Sequence, residues 1–113
     1  MHELGVISSM VKTIEEIIKE QGYTEVEKLV LEIGELSGIV PRYMEACYPA
    51  AVYKTFMENS TLEMEIIPGI VRCKNCDTEF NAMKHDFECP NCGGQDVEML
   101  SGNDIMIKEI LCK

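Results

Sequence analysis

The 113-residue sequence contains no tryptophan and only 6% aromatic residues, so aliphatic side chains and eight methionines must supply most of its core. No apolar run approaches the roughly 20 residues that a membrane-spanning helix requires, and no basic segment followed by an apolar one opens the sequence. Lysine and arginine total 10 against 20 acidic residues, and the resulting net charge of −10 disfavours contact with nucleic acid and with anionic membranes. We therefore expect a cytoplasmic protein that binds neither nucleic acid nor a membrane.

The first periodic segment predicts an amphipathic helix that begins within a few residues of Met1 and ends before Gly22. A strand is predicted at about residues 25–33, and Pro41 suits the first turn of a second helix. Because Pro49 lies inside that second helix, we expect a kink or a helix in two pieces. The apolar residues that recur with helical spacing in the first segment are Ile7, Met10, Val11, Ile14, Ile17 and Ile18.

Two further strands flank a segment of different composition. Apolar residues alternate with glutamates at 62–66, and residues 105–110 predict the last strand. Residues 70–100 carry four cysteines and few apolar side chains, so this segment cannot build a core without disulfides or a bound metal ion. We expect the last strand to pair with the strand at 62–67, because the two ends of the segment would then lie together. The predicted organisation is one domain of residues 1–69 plus 101–113, into which residues 70–100 are inserted.

Four cysteines form two Cys-x-x-Cys pairs, Cys73 with Cys76 and Cys89 with Cys92. Each pair places two thiolates on one tight turn, and two facing turns complete the tetrahedron that zinc adopts. Because four protein ligands leave no open position, we expect a closed structural zinc site. The rival metal is iron in a rubredoxin-like centre, although Asp77 rather than glycine after the first pair favours zinc.

Three other side chains that can bind metals receive no ligand role from the sequence. His85 lies between the two cysteine pairs, and a surface position is the better interpretation because four thiolates already suffice. Cys47 has apolar neighbours on a helical pattern, which predicts a buried structural thiol. Cys112, next to the C-terminus, has no partner at metal-ligand spacing, and we assign it no role.

The first three residues form a second candidate metal site. The α-amine of Met1, the amide nitrogen of His2 and the imidazole of His2 can chelate one ion in fused rings. The amide or the carboxylate of Glu3 offers a fourth donor. Nitrogen-rich planar coordination suits Ni(II) or Cu(II) better than it suits zinc, magnesium or calcium. The alternative is a frayed terminus without a ligand.

Together these features resemble the HypA/HybF family of nickel metallochaperones, which act in NiFe-hydrogenase maturation. The resemblance covers the whole chain, and its most specific parts are the start Met1-His2-Glu3 and the segment Ser101-Gly102-Asn103-Asp104 before the last strand. The remaining segments that carry it are Gly34-Glu35-Leu36-Ser37-Gly38-Ile39-Val40-Pro41, the two Cys-x-x-Cys pairs and Ile105-Met106-Ile107-Lys108-Glu109-Ile110.

The resemblance implies an α+β fold in which two helices pack on a small mixed β-sheet, with a zinc ribbon projecting from it. It implies that His2 binds nickel as cargo with Glu3 and the Met1 amine, and that the four paired cysteines bind structural zinc. The implied partners are a HypB-type GTPase and the precursor of the hydrogenase large subunit, with urease also served in some members, and a homodimer stays open. No enzymatic activity is expected. The rival hypotheses are a zinc-ribbon adaptor without transported metal and, further behind, a small iron electron carrier.

Overall fold

The computed structural model describes residues 3–113, and within this range the chain forms two helices and six strands. None of the described helices has the length and apolar character needed to cross a membrane. The elements are α1 (Glu3–Gln21), β1 (Val26–Gly34), α2 (Pro41–Val52), β2 (Thr61–Ile67), β3 (Ile70–Cys73), β4 (Glu79–Asn81), β5 (Val97–Met99) and β6 (Ile105–Cys112).

Helix α1 confirms most of the apolar stripe predicted for the first segment. Its buried apolar side chains are Ile7, Val11, Ile14 and Ile18, which pack into the main core. Ile17 was expected on the same stripe, but 41% of this residue is exposed, because its position lies toward the solvent side of the helix. The helix stops at Gly22, whose φ of +80° is the left-handed conformation that favours glycine.

Helix α2 begins at Pro41 as predicted and continues without interruption to Val52. The expectation of a helix in two pieces is therefore wrong. Pro49 lies near the end of the helix with its ring exposed, so the missing N–H leaves only one carbonyl, that of Glu45, without its intrahelical donor. Met44, Tyr48 and Val52 form the buried side.

The first sheet is mixed, with the strand order β2-β1-β6. β1 pairs in parallel with β2 and antiparallel with β6, so the predicted pairing of the last strand with β2 is wrong. The physical reason is that β1 is the most buried strand of this sheet, with no exposed residue, whereas β2 and β6 each have several. Leu29, Leu31 and Ile33 belong to the main core, while Val30 on the opposite face is only 3% exposed. A central strand has a neighbour on each edge, so its side chains also pack against the side chains of two strands.

Strand β6 changes the direction of its side chains halfway along its length. Glu109 pairs with Val30 and Ile107 pairs with Leu31, so Lys108 is an additional residue on β6. Such a bulge shifts the alternation by one residue. Partly buried side chains therefore fall at odd positions before the bulge and at even positions after it: Ile105, Ile107, Ile110 and Cys112.

The second sheet has the order β4-β3-β5, and both of its pairings are antiparallel. Its buried cluster is separate from the core beneath the helices, and it consists of Val71, Cys73, Phe80, Ala82 and Cys89. Two cysteines thus replace the large aliphatic side chains that a segment of this size lacks. The division of the chain into a domain and an inserted domain at residues 70–100 stays a prediction.

Candidate metal centre

The four cysteine Sγ atoms of the two Cys-x-x-Cys pairs lie within 4.8 Å of one another. Each sulfur of the first pair lies close to one sulfur of the second pair: Cys73 Sγ is 3.5 Å from Cys92 Sγ, and Cys76 Sγ is 3.5 Å from Cys89 Sγ. A zinc ion with zinc–sulfur distances of about 2.3 Å requires sulfur–sulfur edges of about 3.8 Å. The four sulfurs therefore fit a tetrahedral site after small adjustments.

The two cysteine turns share one backbone geometry, which explains how they face each other. The Asp77 N–H donates to the Cys73 carbonyl at 2.9 Å, and the Gly93 N–H donates to the Cys89 carbonyl at 2.9 Å. Asp77 and Gly93 directly follow the second cysteine of their pair, and both adopt positive φ, +60° and +76°. Aspartate is one of the few residues besides glycine that tolerate this conformation, so Asp77 does not interrupt the repeated turn.

Gly94 allows the backbone of the second turn to approach the sulfurs closely. A Cβ atom at this position would lie 3.3 Å from Cys92 Sγ and 3.5 Å from Cys73 Sγ. It would also lie 2.8 Å from the Asn75 side-chain nitrogen, a contact that real Cβ atoms do not make. Glycine therefore fits beside the sulfur cluster without displacing Asn75, whereas a larger residue would have to move that side chain.

The protein environment acts unequally on the two more accessible thiols. The side chain of Thr78, followed by the side chain of Asn91 and the backbone of Thr78, lowers the pKa of Cys76 to about 6. At Cys92 the Gly94 backbone lowers the pKa, but the Cys73 and Cys76 sulfurs outweigh it and raise the pKa to about 12. A bound cation favours the thiolate at every ligand, so such a set of thiols is suited to hold a metal ion.

The other candidate ligands lie apart from this cluster. His85 is exposed, and its ring packs edge-on against Phe80 with the centroids 5.9 Å apart, which confirms the predicted surface position. Cys47 packs against the main core as predicted for a structural thiol, with its Sγ 3.6 Å from the Met44 carbonyl, but it is half-buried rather than buried. Cys112 is also half-buried there, and burial raises the pKa of its thiol.

Of the predicted nickel-binding residues, Met1 and His2 lie outside the described residues. Glu3 begins α1 and is only 6% exposed, and its carboxylate accepts a hydrogen bond from the Val40 N–H at 3.1 Å. The sequence contains no signal for this contact, since valine has no polar side chain to indicate it. Whether Glu3 also donates to nickel stays a prediction.

Two helices on a mixed sheet, joined to a second sheet beside four clustered cysteines, define a small α+β protein with a candidate metal site. A family model described as "Hydrogenase/urease nickel incorporation, metallochaperone, hypA" matches residues 1–112. The chain belongs to this HypA family.

Individual proteins agree with the family assignment. The chain is 36% identical over 110 residues to a hydrogenase maturation factor HypA of Geotalea uraniireducens, and the match covers 97% of each chain. It is 34% identical over 110 residues to a protein of the same description from Nostoc, covering 97% of this chain and 94% of the relative. The solution structure of the Ni metallochaperone HypA from Helicobacter pylori superposes with a TM-score of 0.72 over 99% of this chain and 97% of the other. At 23% identity, this last likeness establishes the fold.

Proposed function

We propose that this protein binds Ni(II) through its N-terminal Met1-His2-Glu3 and helps to insert it into NiFe-hydrogenase during maturation, without catalysing a reaction itself. The observation that carries the proposal is the match of residues 1–112 to a family described by nickel incorporation. The donor set supports it, because an amine, an amide nitrogen and an imidazole suit Ni(II). The curated relatives are themselves described as hydrogenase maturation factors.

The position of Glu3 supports a short and defined nickel-binding terminus. Helix α1 already begins at Glu3, and the contact from its carboxylate to Val40 holds this first turn against the start of α2. His2, the proposed nickel ligand, is joined directly to this anchored residue.

We propose that the four cysteines hold a structural zinc ion. We further propose that residues 70–100, which contain these cysteines, form a separate inserted module. The proposal rests on the sulfur geometry, in which all four Sγ atoms lie within 4.8 Å. Metal analysis of purified protein should find about one zinc per chain. Cys89→Ser should remove it and unfold the module while the helical circular dichroism signal remains, because the helices pack on another core.

Cys47→Ser is the matched control for the zinc experiment, since Cys47 lies outside the sulfur cluster. This variant should keep its zinc. Iron in place of zinc in the purified wild-type protein would contradict the proposed metal, and zinc retained at full stoichiometry by Cys89→Ser would contradict the proposed ligand set.

The nickel proposal is tested by isothermal titration calorimetry with Ni(II) on untagged protein. His2→Gln should abolish tight binding, and glutamine is preferred to alanine because a large second residue hinders removal of Met1. One alanine added before Met1 should also weaken binding, because it moves the α-amine away from His2. His85→Gln is the control and should bind nickel as the wild type does. His85 is exposed and lies in residues 70–100, where it packs against Phe80 of β4.

Equal nickel affinity in the wild type, His2→Gln and the extended protein would contradict the N-terminal site. That result would leave the four-cysteine cluster as the only proposed metal site and would favour an adaptor without transported metal. Loss of binding in His85→Gln alone would move the site away from the terminus.

For partners we propose a HypB-type GTPase and the hydrogenase large-subunit precursor. The net charge of −10 favours a partner surface with basic residues and association that weakens with salt. Lys12, Glu16 and Glu20 are exposed on α1, the helix that begins at the proposed nickel site. Association with the GTPase should be measured by biolayer interferometry at two salt concentrations, and no association at the lower one would contradict the partner proposal.

A further inference from the structure

The segment between β1 and α2, residues 35–40, contacts the buried clusters of both sheets. At its far end Ile39 is buried in the main core, and the Val40 N–H donates to Glu3. At its near end the Leu36 side chain packs against the buried cluster of the second sheet. One short loop thus contacts both cores, although each strand of residues 3–113 belongs to one sheet only.

Within this loop, Glu35 holds the second sheet through one carboxylate oxygen. Its Oε1 accepts hydrogen bonds from the Gly69 N–H at 2.8 Å and from the Asn81 side-chain Nδ2 at 3.1 Å. The Asn81 Oδ1 accepts the Lys84 N–H at 3.0 Å, which turns the amino group of this amide toward Glu35. The carboxylate therefore links two segments: the turn between β2 and β3, and the end of β4.

The chain enters and leaves residues 70–100 through two neighbouring connections, which meet at Gly69 and Gly102. The Ser101 hydroxyl donates to the Pro68 carbonyl at 3.0 Å, and a Cβ on Gly102 would lie only 2.7 Å from the Gly69 Cα. Two adjacent attachment points define an axis about which a module can rotate. A third contact away from that axis is needed to fix its orientation.

The Glu35–Asn81 contact has this position, and Leu36 adds to it. Gly69 and Gly102, where the two connections meet, form the hinge. The Leu36 N–H donates to the Gly102 carbonyl at 2.7 Å, so the loop is also held at this hinge. Leu36 fills the space beside Gly69, where a Cβ would clash with its side chain. Asn81 lies at the end of β4, where it pairs with Ile70, so its hydrogen bond to Glu35 holds a strand of the module that neither connection contains.

We propose that Glu35 is a positioning residue that fixes the orientation of the cysteine-rich module relative to the two-helix domain. Its carboxylate accepts from the hinge and from the module at once, so neither can turn without breaking a hydrogen bond. The other end of the same loop holds Glu3 through Val40. The orientation is therefore set relative to the beginning of α1. This inference concerns the relative placement of the two parts and holds whether or not nickel is the cargo.

The test is ¹⁵N relaxation on the full-length, zinc-loaded protein, which gives a rotational correlation time for each part. In the wild type, residues 70–100 and the helices should share one correlation time. Glu35→Ala should give the module a shorter time than the helices, with zinc stoichiometry unchanged. Glu35→Gln is the matched control, because its amide oxygen can still accept both hydrogen bonds, and it should retain the single correlation time.

Asn81→Ala tests the same contact from the module and leaves the loop intact. It should shorten the correlation time of the module in the same direction as Glu35→Ala. A single shared correlation time in Asn81→Ala, with zinc bound, would overturn the proposal even if Glu35→Ala failed to fold. A shorter module time in Glu35→Gln equal to that in Glu35→Ala would also overturn it, because the acceptor oxygen would then not be the cause.

Discussion

The Glu3 carboxylate accepts a hydrogen bond from the Val40 N–H at 3.1 Å, although 37 residues separate the two in the sequence. Val40 is the N-cap residue of α2 and forms no side-chain cap, and Pro41 has no N–H to offer. A carboxylate at the N-terminus of a helix also interacts favourably with the helix dipole. Glu3 thus caps α2 from another helix, and it ties the end of the chain to the loop that reaches the second sheet.

Removing this cap should destabilise the protein. We expect Glu3→Ala to lower the free energy of unfolding by about 1–2 kcal/mol, the usual loss when a capping side chain is deleted. Glu3→Gln keeps an acceptor oxygen and should lose less. Chemical denaturation followed by circular dichroism measures both, and a Glu3→Ala protein as stable as the wild type would show that the contact contributes nothing.

Two isoleucines of α1 allow a direct test of which face is buried. Ile14→Ala should lower the free energy of unfolding by about 2–5 kcal/mol, because it leaves a cavity in a core where Ile14 is fully buried. Ile17→Ala makes the same chemical change at a position that is 41% exposed, and it should cost less than about 1 kcal/mol. Similar losses in the two variants would contradict the packing of α1.

The prolines of α2 should respond in different ways to replacement by alanine. Pro49→Ala restores the N–H donor for the Glu45 carbonyl, so we expect the free energy of unfolding to rise by about 1–3 kcal/mol. Pro41 occupies the first turn, where its missing N–H does no harm. Pro41→Ala should therefore leave stability unchanged or slightly lower, and a gain as large as that of Pro49→Ala would contradict this reasoning.

Acid should weaken the Glu35 contact. The hydrogen bond from the Gly69 backbone, then that from Asn81, holds the pKa of the Glu35 carboxyl below its usual value, with Lys84 adding to the effect. Since the folded pKa lies below the unfolded value of about 4.3, the carboxylate stabilises the fold above that pH. The contribution disappears as pH falls through the lowered pKa.

This pKa can be followed by NMR titration of the Glu35 side-chain carboxyl carbon. Asn81→Ala removes one of the two hydrogen-bond donors and should move the pKa of Glu35 upward. Lys84→Ala should have a smaller effect, because this lysine acts only through its charge and lowers the pKa of Glu35 less than either hydrogen bond does. An unchanged pKa in Asn81→Ala would mean that this amide does not donate to the carboxylate in solution.

Much of this architecture was predictable because its signals are local. The helical spacing of Ile7 and Ile14, the stop at Gly22 and the proline at the start of α2 depend on a few consecutive residues each. The grouping of the four paired cysteines was predictable for the same reason, because the spacing within each pair builds a turn without help from the rest of the chain. The family resemblance likewise rests on contiguous motifs.

The sequence by itself determined the helices, three of the six described strands (β1, β2 and β6) and the cysteine pairs, through periodicity and turn chemistry. Only the tertiary structure decided that β1 lies between β2 and β6, because burial of both faces of β1 depends on what packs on each side. It alone brought Glu3 to Val40 and Glu35 to Asn81, pairs separated by 37 and 46 residues. Contacts of this kind have no local pattern, since the energy that selects them is gained only when distant segments of the chain have packed together.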